Sequence, residues 1–201
     1  MRVTMRAIHF LMFFSAICAV PVLAQNAAAN DTQPRGELAL EYTYLHSNLP
    51  PGGCGCFAMN GGSAQFAWPI LNSGFSVAAD ATIATQSNTA ASGYSLTLST
   101  FTAGTRYRPA QLHGAWQPFG ELLAGGSHAS GTLASGANPA AGNASFAFAM
   151  MTGGGIDLRI NSHFSLRLAQ ADYLLTTFDN GSNNHQNNLR LSAGVVLRFG
   201  H

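Results

Sequence analysis

Two cysteines separated by one glycine are the most reactive side chains in the sequence. Cys54 and Cys56 lie in the segment LPPGGCGCFAMNGG, residues 49–62. Two thiolates make half of a structural zinc site, but no histidine pair accompanies them. The spacing also differs from the Cys-x-x-Cys motif of thioredoxin-like redox centres. We therefore favour a disulfide within the loop, eased by the neighbouring glycines, over a link to another chain.

A histidine and a serine two positions apart form a second candidate site. His128 can act as the base for Ser130 as nucleophile if an acid orients the imidazole ring. Strand alternation would place both side chains on one face, and the pair resembles the His-x-Ser element of lipid A deacylases. The next segment, residues 131–143, contains no acid. We therefore predict no catalytic residue, and an enzyme of the lipid A deacylase type is the less favoured alternative.

The remaining histidines of the exported chain do not form a metal-binding pattern. They lie near strand ends, in connections or at the terminus, without the paired spacing of a zinc site. These residues are His46, His113, His163, His185 and His201. The sequence predicts neither a bound metal nor a cofactor.

Charged side chains interrupt several otherwise apolar segments. The set comprises Glu37, Glu41, Asp80, Arg106, Glu121, Asp157, Arg167, Arg190 and Arg198. In a small closed barrel these side chains would point inward, where an unpaired charge costs several kcal/mol. The set could form a gated ion path or an acid/base pair. We prefer the simpler interpretation, a salt-bridge network that fills the lumen.

The N-terminus has the pattern of a secretory signal peptide, residues 1–24. Arg2 and Arg6 precede an apolar run that ends at Pro21, and Val22-Leu23-Ala24 forms a small-residue cleavage site. Residues 25–35 are polar and small, and we expect a flexible periplasmic leader before the folded domain, residues 36–201.

The composition is too apolar for an ordinary soluble domain. Charged residues make up 8% of the chain and hydrophobic residues 47%, whereas soluble domains average roughly 25% charged residues. The chain has no lysine, so no basic patch indicates nucleic-acid binding. Since no segment after the signal is an apolar run long enough for a membrane helix, the composition favours a closed transmembrane β-barrel.

Eight segments alternate between apolar and polar residues, as strands with one apolar face do. In the first, Leu38, Leu40, Tyr42 and Tyr44 share a face, and in the last, Leu189 to Phe199 repeats the pattern. The second and third contain two further apolar faces, Ala64, Phe66, Trp68 and Ile70, and Phe75, Val77, Ala79, Ala81 and Ile83. The others cover about residues 93–108, 117–129, 145–160 and 163–178.

Two of these segments have an irregular pattern. The fourth changes phase near Ser99 to Phe101, which predicts a β-bulge there. The seventh cannot be phased beyond Ala169.

The connections alternate in length in the way that bacterial outer-membrane barrels require. Short turns follow strands two, four and six, and longer segments rich in Gly, Asn, Ser and Pro follow strands one, five and seven. A soluble lipocalin-like barrel would also alternate, with its apolar face inside. Aromatic residues near strand ends and charges in the middle of strands favour the membrane barrel, whose apolar face points outward.

The C-terminal third of the sequence resembles a known family. LSAGVVLRFG, residues 191–200, looks like the last strand of the outer-membrane protein A barrel domain. TGGGID, residues 152–157, followed by a turn and a strand with Ala171-Asp172-Tyr173, looks like its sixth and seventh strands. The resemblance implies an all-β, eight-stranded, antiparallel up-and-down transmembrane barrel. Phe199 stands near the C-terminus, where the barrel assembly machinery usually recognises an aromatic residue.

These observations predict an integral protein of the bacterial outer membrane with a structural, adhesive or surface-recognition role. We expect it to contact outer-membrane lipid, the barrel assembly machinery during biogenesis and an extracellular partner through its loops. The alternative function is a narrow porin-like channel.

Overall fold

The computed structural model describes residues 36–48, 56–70, 74–89, 94–109, 114–131, 144–178 and 185–199. The predicted signal peptide, the leader and Cys54 lie outside these ranges. No helix in the described ranges has the length and hydrophobicity to cross a membrane.

Eight antiparallel strands form one closed sheet, in which each strand pairs with its neighbours in sequence and β8 pairs with β1. The strands are β1 (Gly36–Asn48), β2 (Cys56–Pro69), β3 (Phe75–Thr89), β4 (Tyr94–Tyr107), β5 (Trp116–Ser130), β6 (Ala144–Arg159), β7 (Phe164–Thr176) and β8 (Gln186–Phe199). The predicted fold class is confirmed. We call the end with the β2–β3, β4–β5 and β6–β7 connections the turn end, and the opposite end the loop end.

The outer face of the barrel is apolar. Large hydrophobic side chains remain exposed along every strand, among them Leu40, Phe66, Val77, Phe101, Leu122, Phe148, Tyr173 and Leu191. Aromatic rings cluster at the turn end, where Phe66 stacks on Trp68 and on Phe199 with centroids 6.1 Å apart in both pairs. A closed sheet pairs all of its strands, and an apolar exterior of this kind is stable in lipid rather than in water.

The predicted bulge in β4 is wrong. Thr100 and Phe101 pair in unbroken register with β3 and β5. The hydrophobic pattern changes phase because Leu96 and Leu98 point into the barrel, whereas Phe101 points out. The change reflects apolar residues inside the loop half of the barrel and not an irregular backbone.

A bulge does interrupt β7. The register shifts between Arg167 and Gln170 relative to β8, and at the same place relative to β6. Leu168 and Ala169 are both exposed, so that Arg167 and Gln170, three positions apart, both point inward. This extra residue explains why the sequence pattern could not be phased beyond Ala169.

The bulge predicts opposite effects for two single-residue deletions in β7. Deleting Ala169 removes the extra residue and leaves Arg167 and Gln170 two positions apart, still on the same face. Deleting Ala171 places Gln170 next to Asp172 and forces one polar side chain onto the lipid face, which is destabilising. In detergent, the Ala169 deletion should keep the heat-modifiable gel migration of a folded barrel, and the Ala171 deletion should lose it. Equal loss in both variants would contradict this account of the bulge.

Candidate functional site

The interior of the barrel holds the charged side chains that the sequence singled out. Glu41, Asp80, Arg106, Glu121, Asp157, Arg190 and Arg198 are all buried, as is Arg167. With Glu37, Arg108, Asp172 and the amides Gln65 and Gln170 they form what we call the ion-pair layer, which occupies the middle and the turn end of the lumen.

Three ion pairs of this layer follow directly from strand register. Arg106 faces Glu121 across β4 and β5, with Nη2 3.0 Å from Oε2. Across β6 and β7, Arg167 Nε lies 2.9 Å from Asp157 Oδ1. Across β7 and β8, Arg190 Nη2 lies 2.8 Å from Asp172 Oδ2. In each pair a cation and an anion stand side by side on one wall.

Other contacts cross the lumen between strands that are not neighbours. Arg190 on β8 reaches Asp80 on β3, with Nη1 2.9 Å from Oδ1. Arg167 on β7 reaches Glu41 on β1, with Nη1 2.5 Å from Oε1. Gln65 on β2 donates from Nε2 to Glu121 Oε1 on β5 at 2.9 Å. These contacts tie together walls that the backbone ladder does not join.

At the turn end, one carboxylate gathers three guanidinium groups. Glu37 lies 2.5 Å from Arg108, 3.1 Å from Arg198 and 3.6 Å from Arg106. Arg108 also bridges to Asp157 through Nη2, at 2.7 Å from Oδ2. The first residues of β1 are thereby linked to the ends of β4, β6 and β8.

An aromatic ring lies among the arginines. Phe119 is buried inside the barrel, and the guanidinium carbons of Arg106 and Arg167 are each 4.4 Å from its centroid, within cation–π distance. Gly155 on β6 makes room for this ring, because an added Cβ there would lie 2.9 Å from the Phe119 Cζ atom. Gly155 therefore serves close packing in the lumen.

A second glycine allows two strands to approach closely beside an ion pair. Gly194 on β8 is paired with Glu41 on one side and with Arg167 on the other. The bridge between these two residues therefore crosses β8 at a position without a side chain. An added Cβ there would overlap the backbone oxygen of Leu40, so a larger residue would push β1 away from β8 beside this ion pair.

The sequence analysis missed four members of the ion-pair layer. Arg108 is the last residue of the segment that the pattern assigned to the fourth strand, and it lies just beyond the end of β4. Asp172 follows the bulge in β7, so its face could not be deduced. Gln65 and Gln170 carry no charge, although Gln65 has the same alternation signal as its charged neighbours.

The candidate pair His128 and Ser130 lies on the other side of the wall. The residues between and before them, Ala129 and Ser127, are buried inside, and the His128 ring packs on the outward-facing Phe146 with centroids 4.4 Å apart. Every acid in the described part of the chain belongs to the ion-pair layer inside. The two residues therefore have no described carboxylate on their own face.

The cysteine pair is only partly described. Cys54 lies outside the described residues, and Cys56 is the first residue of β2, with its backbone paired with Asn48. The second cysteine therefore belongs to a strand rather than to the loop. The disulfide stays a prediction.

Removal of the central arginine should destabilise the barrel strongly. Arg167→Met leaves Glu41 and Asp157 without their shared buried partner, and breaking a buried pair in this way costs about 3–5 kcal/mol. The matched control is Arg159→Met, at the turn end of β6 and only partly buried, for which we expect a loss of about 1 kcal/mol or less. Denaturant unfolding in phospholipid vesicles measures both, and equal losses would contradict the central role of Arg167.

The protein is similar to known proteins in its structure but not in its sequence. No protein-family model matches the sequence, and no curated protein matches it significantly. The structure resembles Neisserial surface protein A (NspA), with a TM-score of 0.63 and 17% identity over 82% of this chain and 97% of that one. It also resembles Ail, the attachment invasion locus protein of Yersinia pestis, with a TM-score of 0.53 and 15% identity over 82% and 99%. The fold of this chain is that of small eight-stranded outer-membrane barrels, as the resemblance in its last strands implied.

Proposed function

We propose that the protein is an integral β-barrel of the bacterial outer membrane, with a structural, adhesive or surface-recognition role and a closed lumen. The observation that carries this proposal is the distribution of side chains. The wall is apolar outside, and all described acids lie inside with arginines, fully buried except for the half-buried Glu37. This is the reverse of a soluble barrel that binds an apolar ligand.

The surrounding lipid is the first partner that this distribution requires. A closed antiparallel sheet has no free edge, so its backbone groups need no water. The exposed Leu, Val, Ile and Phe side chains would be costly in water and are at no disadvantage against acyl chains. The signal peptide, residues 1–24, directs export, and the barrel assembly machinery inserts the chain through its last strand, which ends at Phe199.

The ion-pair layer supports a structural rather than a conducting lumen. Its arginines bridge strands on different walls and, with their carboxylate partners, fill the lumen at this level. An eight-stranded barrel is just wide enough for side chains to fill it.

The composition of the loop-end connections supports recognition without strong charge. The segments 49–55, 90–93, 131–143 and 177–185 contain no lysine or arginine, and Asp179 is their only acid. A crystal structure similar to this chain, with a TM-score of 0.52, 15% identity and coverage of 82% and 99%, is that of Ail with the heparin analogue sucrose octasulfate. These loops lack the basic residues that would favour such a polyanion. The extracellular partner we propose is therefore uncharged, and is bound by hydrogen bonds and apolar contacts.

Accessibility of epitope tags on intact cells tests the orientation. A tag inserted after Ala137, between β5 and β6, should bind antibody on intact cells, because the loop end faces outward. The matched control is a tag inserted after Gln111, between β4 and β5, which should bind only after the outer membrane is permeabilised. Labelling of both tags on intact cells, or recovery of the protein in the soluble periplasmic fraction, would overturn the proposal.

A further inference from the structure

The lumen contains a second layer, which is apolar and lies above the ion-pair layer towards the loop end. Each of the strands β1 to β7 contributes to it from inside the wall. Its large members are Leu45, Met59, Leu96, Leu98, Leu123, Met151, Leu174 and Phe178, which follows β7, and small ones are Ala84, Ala129 and Ala149. We call this set the apolar layer. Met59 and Met151 are each 1% exposed, so this half of the lumen is packed as the core of a soluble domain is.

Several polar side chains at the same level are bonded to each other or to the wall. Thr100 Oγ1 and Ser127 Oγ lie 2.8 Å apart across β4 and β5. Asn188 Nδ2 donates to the backbone oxygen of Leu174 at 3.0 Å. Because these groups are satisfied at the wall, they leave the apolar side chains to fill the space between.

We propose that the apolar layer, and not the ion-pair layer, is the barrier that keeps ions and water from crossing the barrel. A hydrated ion that enters a packed apolar constriction must lose its water without finding new partners, and hydrophobic constrictions close channels in this way. The ion-pair layer offers carboxylates, guanidinium groups and amides that can replace hydration. It stabilises the barrel, whereas the apolar layer closes it.

The inference rests on the proposed closed membrane barrel. One pair of residues allows the apolar layer to be tested separately from the rest of the wall. Leu123 and Met151 face each other across β5 and β6 in the apolar layer and are each 1% exposed. Their sequence neighbours Leu122 and Met150 point to the outer face of the same two strands. The same two residue types can therefore be changed inside or outside the wall, one position apart.

Conductance across planar bilayers tests the assignment, with heat-modifiable migration as proof of folding for every variant. The wild type should be silent. Leu123→Ser with Met151→Ser should raise the ion current about tenfold or more above the leak current measured with the wild type, as expected if the barrier falls by about 1.4 kcal/mol or more. The control, Leu122→Ser with Met150→Ser, should stay silent. If the inner double variant does not fold, Met151→Thr alone has the same expected direction.

A variant of the ion-pair layer tests the opposite assignment, in which that layer is the barrier. Asp80→Asn with Arg190→Gln neutralises a contact that crosses the lumen and leaves the apolar layer intact, so it should stay as silent as the wild type. A conducting Asp80/Arg190 variant beside a silent Leu123/Met151 variant would overturn the inference. Conductance of the wild type would instead overturn the closed lumen of the proposed function.

Discussion

The structure depends on one constraint, that the backbone of a chain in lipid must satisfy its own hydrogen bonds. Pairing of β8 with β1 meets it by leaving no edge. Closure then assigns every residue to one of two environments, lipid outside or a narrow lumen inside, and strand alternation distributes the side chains between them. The apolar face can lie outside only because the polar residues inside form ion pairs and hydrogen bonds with each other.

Buried charges inside the barrel are stabilised because each of two arginines contacts two carboxylates. Arg167 contacts Glu41 and Asp157, and Arg190 contacts Asp80 and Asp172. A single buried pair seldom repays its desolvation, and extra hydrogen bonds are needed to satisfy the remaining lone pairs and protons. Gln65 and Gln170 supply such bonds to Glu121. These shared contacts satisfy buried charges that a single ion pair would leave only partly compensated.

Alternation was enough to predict the number of strands and most of the residues that share a face. The membrane-barrel class and the outward position of the apolar face also needed the low charged fraction, the aromatic residues near strand ends and the charges in the middle of strands. It failed where backbone or side chains depart from period two. Because of the bulge at Leu168 and Ala169, alternation could not show which face Asp172 lies on. In β4, the inward-facing Leu96 and Leu98 changed the hydrophobic pattern in the way that a bulge would. Partners across the lumen, such as Arg190 with Asp80, depend on the stagger of the strands around the closed barrel. No local pattern in the sequence specifies that stagger, so the pairing within the ion-pair layer required the structure.

The most direct test of an apolar wall in lipid uses the chain's own fluorophores. Its two tryptophans, Trp68 and Trp116, both point outward at the turn end and are 47% and 56% exposed. With the protein refolded into vesicles of lipids brominated on their acyl chains, the account predicts strong quenching of tryptophan fluorescence and little quenching by aqueous iodide. Strong quenching by iodide without quenching by brominated lipid would contradict it.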